Sequence, residues 1–428
     1  MVAHNWVNRL MRRGGHGRTV GSLSMIALVA LSVVGDVASG QWNQWGGPNQ
    51  DFKAPAKGLA SSWPDDGPKK LWKRDLGDGY SAILFDNGRL YTMYRAENLE
   101  RVIALDAKTG ETIWEHKYES NPSDIHEHSF GAGPRSTPLL FKDRLYTIGV
   151  SGTMHCLDKK DGKVIWKQEL WKDLGGNVMN HGYSSSPIAY KDTIITLVGA
   201  ENASVVAFDP NDGHIIWKKN SFKNSYSTPK LIKLGGKDHL VTFMATEAIG
   251  LNPENGDLLW QYPHENQWKQ NVCMPEWDEK ESLLLISSPD AGSKGLRLKP
   301  NGDKVDVEEV WATKKLQLYH VNTVRMGDYI VGTTGTMDPA FMAAADLKTG
   351  KILWRERGFK KSTCLAAEGR ILVLDEDGQL ALCTASPEKL EVHTKTQILT
   401  EPTWTVPTLI GTHLFVRDKA QIMALDLG

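Results

Sequence analysis

The stretch Val102–Trp114, reading VIALDAKTGETIW, constrains the fold more than any other part of this chain, because degenerate copies of it recur to the last residue. An apolar strand end, Ala104-Leu105, runs into Asp106; a polar turn closes at Gly110; a second strand finishes on Trp114. Gly supplies the positive φ that a short hairpin loop needs, and an Asp at the start of the turn can accept hydrogen bonds from its own downstream backbone. The Trp has area enough to bury against a neighbouring copy. Clear copies run from Asp158 to Gly162 and Trp166, from Asp209 to Gly213 and Trp217, and from Asn252 to Gly256 and Trp260. Weaker ones keep a turn at Asn301-Gly302 before Trp311 and at Asp346 to Gly350 before Trp354; the Leu380 to Val392 copy has lost both the Gly and the Trp. Successive Trp positions lie roughly 40 to 50 residues apart, the period of propeller blades rather than of helical solenoids. The segments alternate with period two and carry no long stripe of 3.6 periodicity, so helical repeats fail.

The two ends of the pattern do not match. Lys70-Leu71-Trp72 ends a strand that no cassette precedes, and Ile422-Met423-Ala424-Leu425-Asp426 begins a cassette that stops at Gly428. The first strand can supply what the last cassette lacks, which closes a ring and leaves no sheet edge at the seam. Outer strands at Trp72, Trp114, Trp166, Trp217, Trp260, Trp311, Trp354 and Val392 predict an all-β, eight-bladed β-propeller, or seven blades if the Val392 unit is irregular.

The A-L-D-A-x-T-G-x-x-x-W cassette resembles the repeat by which blades dock on tryptophans in the pyrroloquinoline-quinone (PQQ) propeller superfamily, over roughly residues 67–428. Trp42-Asn43-Gln44-Trp45-Gly46-Gly47-Pro48, with Trp63-Pro64 and Pro68 to Trp72, looks like the N-terminal region of secreted PQQ-repeat proteins common in planctomycete-type bacteria. The superfamily contains quinone-dependent dehydrogenases and the propeller lipoprotein of the outer-membrane barrel-assembly machinery, so the resemblance implies a fold more than a function.

At the start of the chain Arg9, Arg12, Arg13 and Arg18 precede an apolar run, Ser22 to Val34, that is shorter than the about 20 residues of a membrane span. Ala38-Ser39-Gly40 offers small residues for cleavage. This predicts a signal peptide over 1–40 and a periplasmic or secreted protein, with an uncleaved signal anchor as the alternative and the one route to a membrane. Residues 41–66 read as an irregular lead-in whose Trp42 and Trp45 plug or cover a propeller face, and 67–428 as one propeller domain. With the four arginines and Asp36 of residues 1–40 taken from totals of 50 basic and 51 acidic, 46 and 50 remain, a net charge of −4. That balance offers nucleic acid no electrostatic footprint. The four cysteines lie far apart; the nearest two, Cys364 and Cys383, fall on the first and third strands of one blade and are expected as buried thiols.

Functional residues are sought where the outer strand of one blade crosses to the inner strand of the next, since those crossings surround the channel. Recurring prolines align them: Arg135, Ser184, Tyr226 and Trp404 stand three residues before Pro138, Pro187, Pro229 and Pro407, and Tyr80 is placed similarly. With His181, Tyr183, Asn271 and His320 these give a candidate ligand-binding mouth of Tyr80, Arg135, His181, Tyr183, Tyr226, Asn271, His320 and Trp404; Asn180, Asn224 and Asn322 lie nearby. The crossing from Glu119 to Gly133 carries Asp124, His126, Glu127 and His128, which lack a defined third ligand, so no metal site is assigned. The crossing from Lys167 to Tyr183 is a candidate lid.

In the quinone dehydrogenases that the repeat resembles, the cofactor stacks on a Trp, is covered by a disulfide between adjacent cysteines, and shares a Ca²⁺ with carboxylate and amide oxygens. This chain has no Cys-Cys pair, no C-x-x-C-H haem motif and no G-x-S-x-G elbow. No catalytic residue and no cofactor is therefore assigned. The sequence predicts an exported, non-catalytic platform that binds a protein or a small-molecule or carbohydrate ligand at one propeller face; a PQQ- and calcium-dependent alcohol or sugar dehydrogenase is the alternative.

Overall fold

In a computed structural model, which describes residues 41–121, 130–320, 322–335 and 340–428, all regular structure is β-strand, in eight four-stranded antiparallel sheets. The expected signal peptide and the Asp124 to His128 group lie outside the described residues. Seven sheets use consecutive strands, beginning with Leu84–Asp86, Arg89–Ala96, Leu99–Asp106 and Thr112–Glu119; they are numbered here as blades one to seven. Blade eight is the seam. Its outer strand Lys69–Asp75 pairs with Gln421–Asp426, Trp72 opposite Ala424, beside His413–Arg417 and Thr408–Ile410. The mismatched ends of the repeat pattern thus complete one sheet.

Blade-on-blade packing decides which residues can occupy each strand. Third strands such as Ala203–Phe208 are buried along their whole length, so they read as continuous apolar runs, whereas outer strands such as Thr112–Glu119 keep one solvent face. Each outer strand carries a β-bulge against the third strand. In blade one Trp114 faces Ala104 and Thr112 faces Leu105, leaving Ile113 unpaired and 40% exposed. The bulge turns the Trp toward the next blade. There Trp72 lies on Gly110 at the turn of blade one and donates its Nε1 to Ala107 O at 2.9 Å. A Cβ on Gly110, whose φ is +74°, would sit 2.6 Å from the Trp72 ring. The relation repeats for Trp114 on Gly162, Trp166 on Gly213, Trp217 on Gly256 and Trp311 on Gly350.

Blade seven is regular, which settles the count at eight. Leu390–Gln397 forms a full outer strand, and its bulge places Thr394, rather than Val392, where the other blades have Trp. Trp63 of the lead-in lies against this strand and donates Nε1 to Thr396 Oγ1 at 3.1 Å. Cys364 and Cys383 occupy the first and third strands of this blade, both bonded to the strand between them, and all four cysteines are buried and free.

The lead-in crosses from blade to blade. Trp42 exchanges backbone bonds with Phe85 of blade one, and Leu140 N of blade two donates to Asn43 O. Gln50 Nε2 donates to Pro229 O beside blade four, and Lys53 bridges Ala366 of blade seven. These partners belong to or adjoin inner strands on separate sides of the ring, so residues 42–54 floor the channel at one end. Trp42 is 2% exposed and part of the core, while Trp45 packs edge-on against Phe52 at 5.5 Å.

Candidate functional site

All eight crossings converge on a cavity of about 550 Å³, which Trp45 of the lead-in also lines. The register is regular. Tyr80, Arg135, Ser184, Tyr226, Val272, His320 and Trp404 each stand four residues before the first strand of their blade, at Leu84, Leu139, Ile188, Lys230, Glu276, Val324 and Thr408, and all line the cavity. Lys361, immediately before the longer strand Ser362–Ala367, fills the eighth place. The Ser and Thr residues that follow are engaged between blades. Ala82 N donates to Thr137 Oγ1, Thr137 N to Ser186 Oγ, and Ser186 N to Thr228 Oγ1, at 3.0–3.1 Å. Side chains short enough to bond the neighbouring strand therefore hold the ring together, and the longer ones before them reach the axis.

Six of the eight residues read from the sequence as the mouth meet here: Tyr80, Arg135, His181, Tyr226, His320 and Trp404. Tyr183 and Asn271 do not. Tyr183 is fully buried, its hydroxyl 2.6 Å from Thr196 Oγ1 and donating to Leu197 O at 2.7 Å, so it belongs to the packing between crossing and blade three. Asn271 is equally buried and donates to Met244 O at 2.7 Å, tying a crossing to the turn of blade four. Its neighbours Gln270 and Val272 point the other way and line the cavity. Asn322 likewise donates to Cys364 O at 2.7 Å. Sequence reasoning missed Val272, although Pro275 stands three residues after it, and missed Phe130, Trp268, Tyr319 and Lys361, which no proline marks.

The wall is a connected aromatic surface. Tyr80 stacks on Trp404 at 5.1 Å; Phe130 and His320 approach Trp404 at 5.1 and 4.9 Å; Tyr319 meets His320 edge-on at 4.8 Å; Trp268 lies 6.3 Å from Tyr319. Phe130 and Trp268 are 43% and 40% exposed and form the rim. Trp404 is held from behind, donating Nε1 to Glu376 Oε2 at 3.0 Å, and the same carboxylate lies 3.4 Å from Lys361 Nζ. Tyr80 donates its hydroxyl to Phe130 O at 2.8 Å and lies under the Arg135 guanidinium at 5.8 Å.

Desolvation sets the protonation states. Burial pushes His320 down to about 3 and Tyr226 up to about 12, so near neutral pH both are uncharged. Burial also lowers Arg135 from the usual guanidinium range without removing its charge. Among the described residues the wall carries two cations, Arg135 and Lys361, and no carboxylate. The four cysteines are buried off this wall. Elsewhere, the ligand atoms of Asp209, Asp212 and His214 lie close together in the outer turn of blade three, but Asp209 accepts from Asn211 N and Asp212 from His214 N, the hydrogen bonds of a turn.

Comparison with known proteins places these observations. The family model for PQQ-type repeats described as outer membrane protein assembly factor BamB matches residues 98–288. The outer membrane protein assembly factor BamB of Burkholderia pseudomallei is 22% identical over 260 residues, 58% of this chain and 62% of its own. Quinohemoprotein alcohol dehydrogenase ADH IIB of Pseudomonas putida is 29% identical over 154 residues, 34% of this chain and 21% of its own. The chain thus spans less than two thirds of either of these relatives. Among solved structures, the quinohemoprotein alcohol dehydrogenase of Comamonas testosteroni superposes with a TM-score of 0.64 at 12% identity, over 91% of this chain and 80% of that one, a likeness of fold alone. The repeat matched by sequence over residues 98–288 is similar to the PQQ-type repeat, and the ring shared in structure is that of a β-propeller.

Proposed function

We propose that the protein is an exported binding platform whose ligand site is the aromatic cavity at the crossing face, and that it is not itself a catalyst. The observation that carries this reading is the make-up of the wall, to which every crossing contributes. Side chains there offer flat apolar faces, two cations and hydrogen-bonding groups, which suits recognition of a ligand. Proton abstraction needs a base within about 2.6–3.2 Å of the substrate, and His320 and Tyr226 on the wall are poorly suited to it: burial holds the His320 imidazole neutral, down at about 3, and keeps the Tyr226 hydroxyl protonated. A quinone and its Ca²⁺ would need carboxylate oxygens and, by the family resemblance, a disulfide cover. The described wall residues offer no carboxylate, and no cysteine lies among them. One face of Trp404 is already taken by Tyr80.

The relatives are divided between proteins named for outer-membrane assembly and proteins named for alcohol oxidation. The first group supports a periplasmic location and a protein partner on the same face, where the exposed Phe130 and Trp268 surround the opening. The basic and then apolar N-terminal segment, read from the sequence as a signal peptide ending before Gln41, supports export.

The test separates the two readings. The protein is incubated with PQQ and Ca²⁺, desalted, and assayed with alcohols and sugars and an artificial electron acceptor. Turnover at the no-enzyme rate and no retained quinone absorption are expected. Turnover that is abolished by a chelator and by Trp404→Ala would replace the platform with the dehydrogenase.

A further inference from the structure

We infer that the cavity takes a small organic acid built on a six-membered ring, with its carboxylate at Arg135 and with no need of a divalent cation. The inference rests on reading the cavity as a ligand site, and it names the chemistry of the ligand.

Arg135 is the group that asks for a partner. A guanidinium has five N–H donors in a planar fork. Two of these are engaged, Nη1 donating to Gly133 O at 3.1 Å and Nη2 to Gly131 O at 3.0 Å. No carboxylate of the described residues lies within ion-pair distance of Arg135. Asp78 influences it through space, but one of its oxygens already accepts from Ala132 N and Gly133 N at 2.7 and 2.9 Å. A largely desolvated cation without a contacting counter-charge is costly, and a ligand carboxylate that met the remaining donors in parallel would offset that cost. Lys361, across the axis, is the contrasting case, since Glu376 behind it already faces the ammonium.

The body of the ligand follows from the rest of the wall. Trp404, His320, Tyr319 and Trp268 present a run of aromatic faces and edges from the interior to the rim. Such surfaces pack against an aromatic ring or against the C–H face of a sugar ring. A cavity of about 550 Å³ accommodates one or two such rings, within the range of small-molecule sites. A divalent cation placed between Arg135 and Lys361 would meet positive charge on two sides and no anionic oxygen from the described wall. The anion is therefore expected to bind directly. An aromatic acid and an acidic sugar share this chemistry, and the experiment distinguishes them.

Titration calorimetry on the full chain compares glucuronate with glucose and naphthoate with naphthylmethanol, each with and without EDTA. For at least one pair the acid is expected to bind about tenfold or more tightly than its neutral partner, with EDTA without effect; the pair that shows the ratio identifies the source. Arg135→Gln should bring the ratio near one, and Arg135→Lys, which keeps the charge but loses the fork, should leave it between. The lysine variant carries the test should the glutamine variant fail to fold. Equal binding of acid and neutral partner, or binding of the acid that EDTA abolishes, overturns the inference while leaving the cavity a ligand site. If no probe of either pair binds, the inference and the reading on which it rests fall together.

Discussion

Two outer-strand tryptophans offer a matched comparison of what a single indole N–H contributes between blades. Trp166 and Trp217 are 7% and 8% exposed, and each lies on the turn glycine of the following blade, where a Cβ on Gly213 or Gly256 would come within 2.6 Å of the ring. Packing is therefore alike. Hydrogen bonding is not: Trp166 donates Nε1 to Pro210 O at 3.1 Å, whereas the Nε1 of Trp217 is buried with no partner among the described residues. Replacing either Trp by Ala removes the whole ring and should cost about 3–5 kcal/mol. Replacing either by Phe keeps most of the contact. In Trp166→Phe a hydrogen bond worth about 0.5–1.5 kcal/mol disappears and a carbonyl loses its donor, while in Trp217→Phe an unsatisfied N–H is removed, which relieves a penalty of about 1–3 kcal/mol. The loss from the smaller ring is common to both and cancels. Trp217→Phe should therefore be the more stable variant by the sum of the two effects, about 1.5–4.5 kcal/mol. Equilibrium urea unfolding, followed by far-UV circular dichroism, reads the difference as a gap between midpoints at equal slope. Coincident midpoints, or a lower one for Trp217→Phe, would refute the view that these indoles act through a directed bond as well as through area.

Two further outcomes are expected. Deleting Ile422–Gly428, or changing Leu71 and Trp72 to Asp, should open blade eight and produce a large loss of thermal stability with aggregation, because among the described residues Lys69–Asp75 pairs with the last strand alone; a melting temperature within a few degrees of wild type would show that the seam does not close the ring. Burial holds His155 down at about 3 and His264 at about 4, against 6.5 when unfolded, so between those values the unfolded chain binds more protons and stability falls as pH drops below 6.5, by up to about 1.4 kcal/mol per pH unit for each group. His155→Gln should flatten the decline in urea midpoint between pH 7 and pH 5, and an unchanged slope would contradict the burial of a neutral imidazole.

The ring was legible because its information is local and repeated. The cassette states strand, turn, strand and docking residue within about a dozen positions, and the unmatched ends at Trp72 and Asp426 state the closure. Even where the signal faded the backbone did not: the bulge of blade seven survives with Thr394 in the Trp place, and the missing indole is made up by Trp63 from the lead-in. The site was legible only in part because its residues are specified by distance from the inner strand, which prolines mark in some crossings and not in others. Pro138, Pro187, Pro229 and Pro407 each pointed to a residue on the wall. Tyr183 and Asn271 have the chemistry of a binding site, yet both face away, because neighbouring residues in an extended crossing point to opposite sides. Nothing in the sequence says which side faces the axis until the register of the inner strand is known.

That separation between perimeter and axis governs how far the comparisons reach. The cassettes meet at the rim of the wheel, where the ring of each docking Trp lies on the turn Gly of the next blade. The ring positions just before each inner strand bear little of that load, so Tyr80, Arg135, Ser184, Val272 and Lys361 are free to differ in size and charge without disturbing the register. A TM-score of 0.64 to a quinohemoprotein dehydrogenase at 12% identity therefore measures agreement of the fold and says nothing of the side chains around the axis. The chemistry is carried by a handful of side chains around one axis, and for this chain they present aromatic faces and an unmatched guanidinium. Binding measured at Arg135 and Trp404 consequently discriminates between platform and dehydrogenase where further similarity of the ring could not.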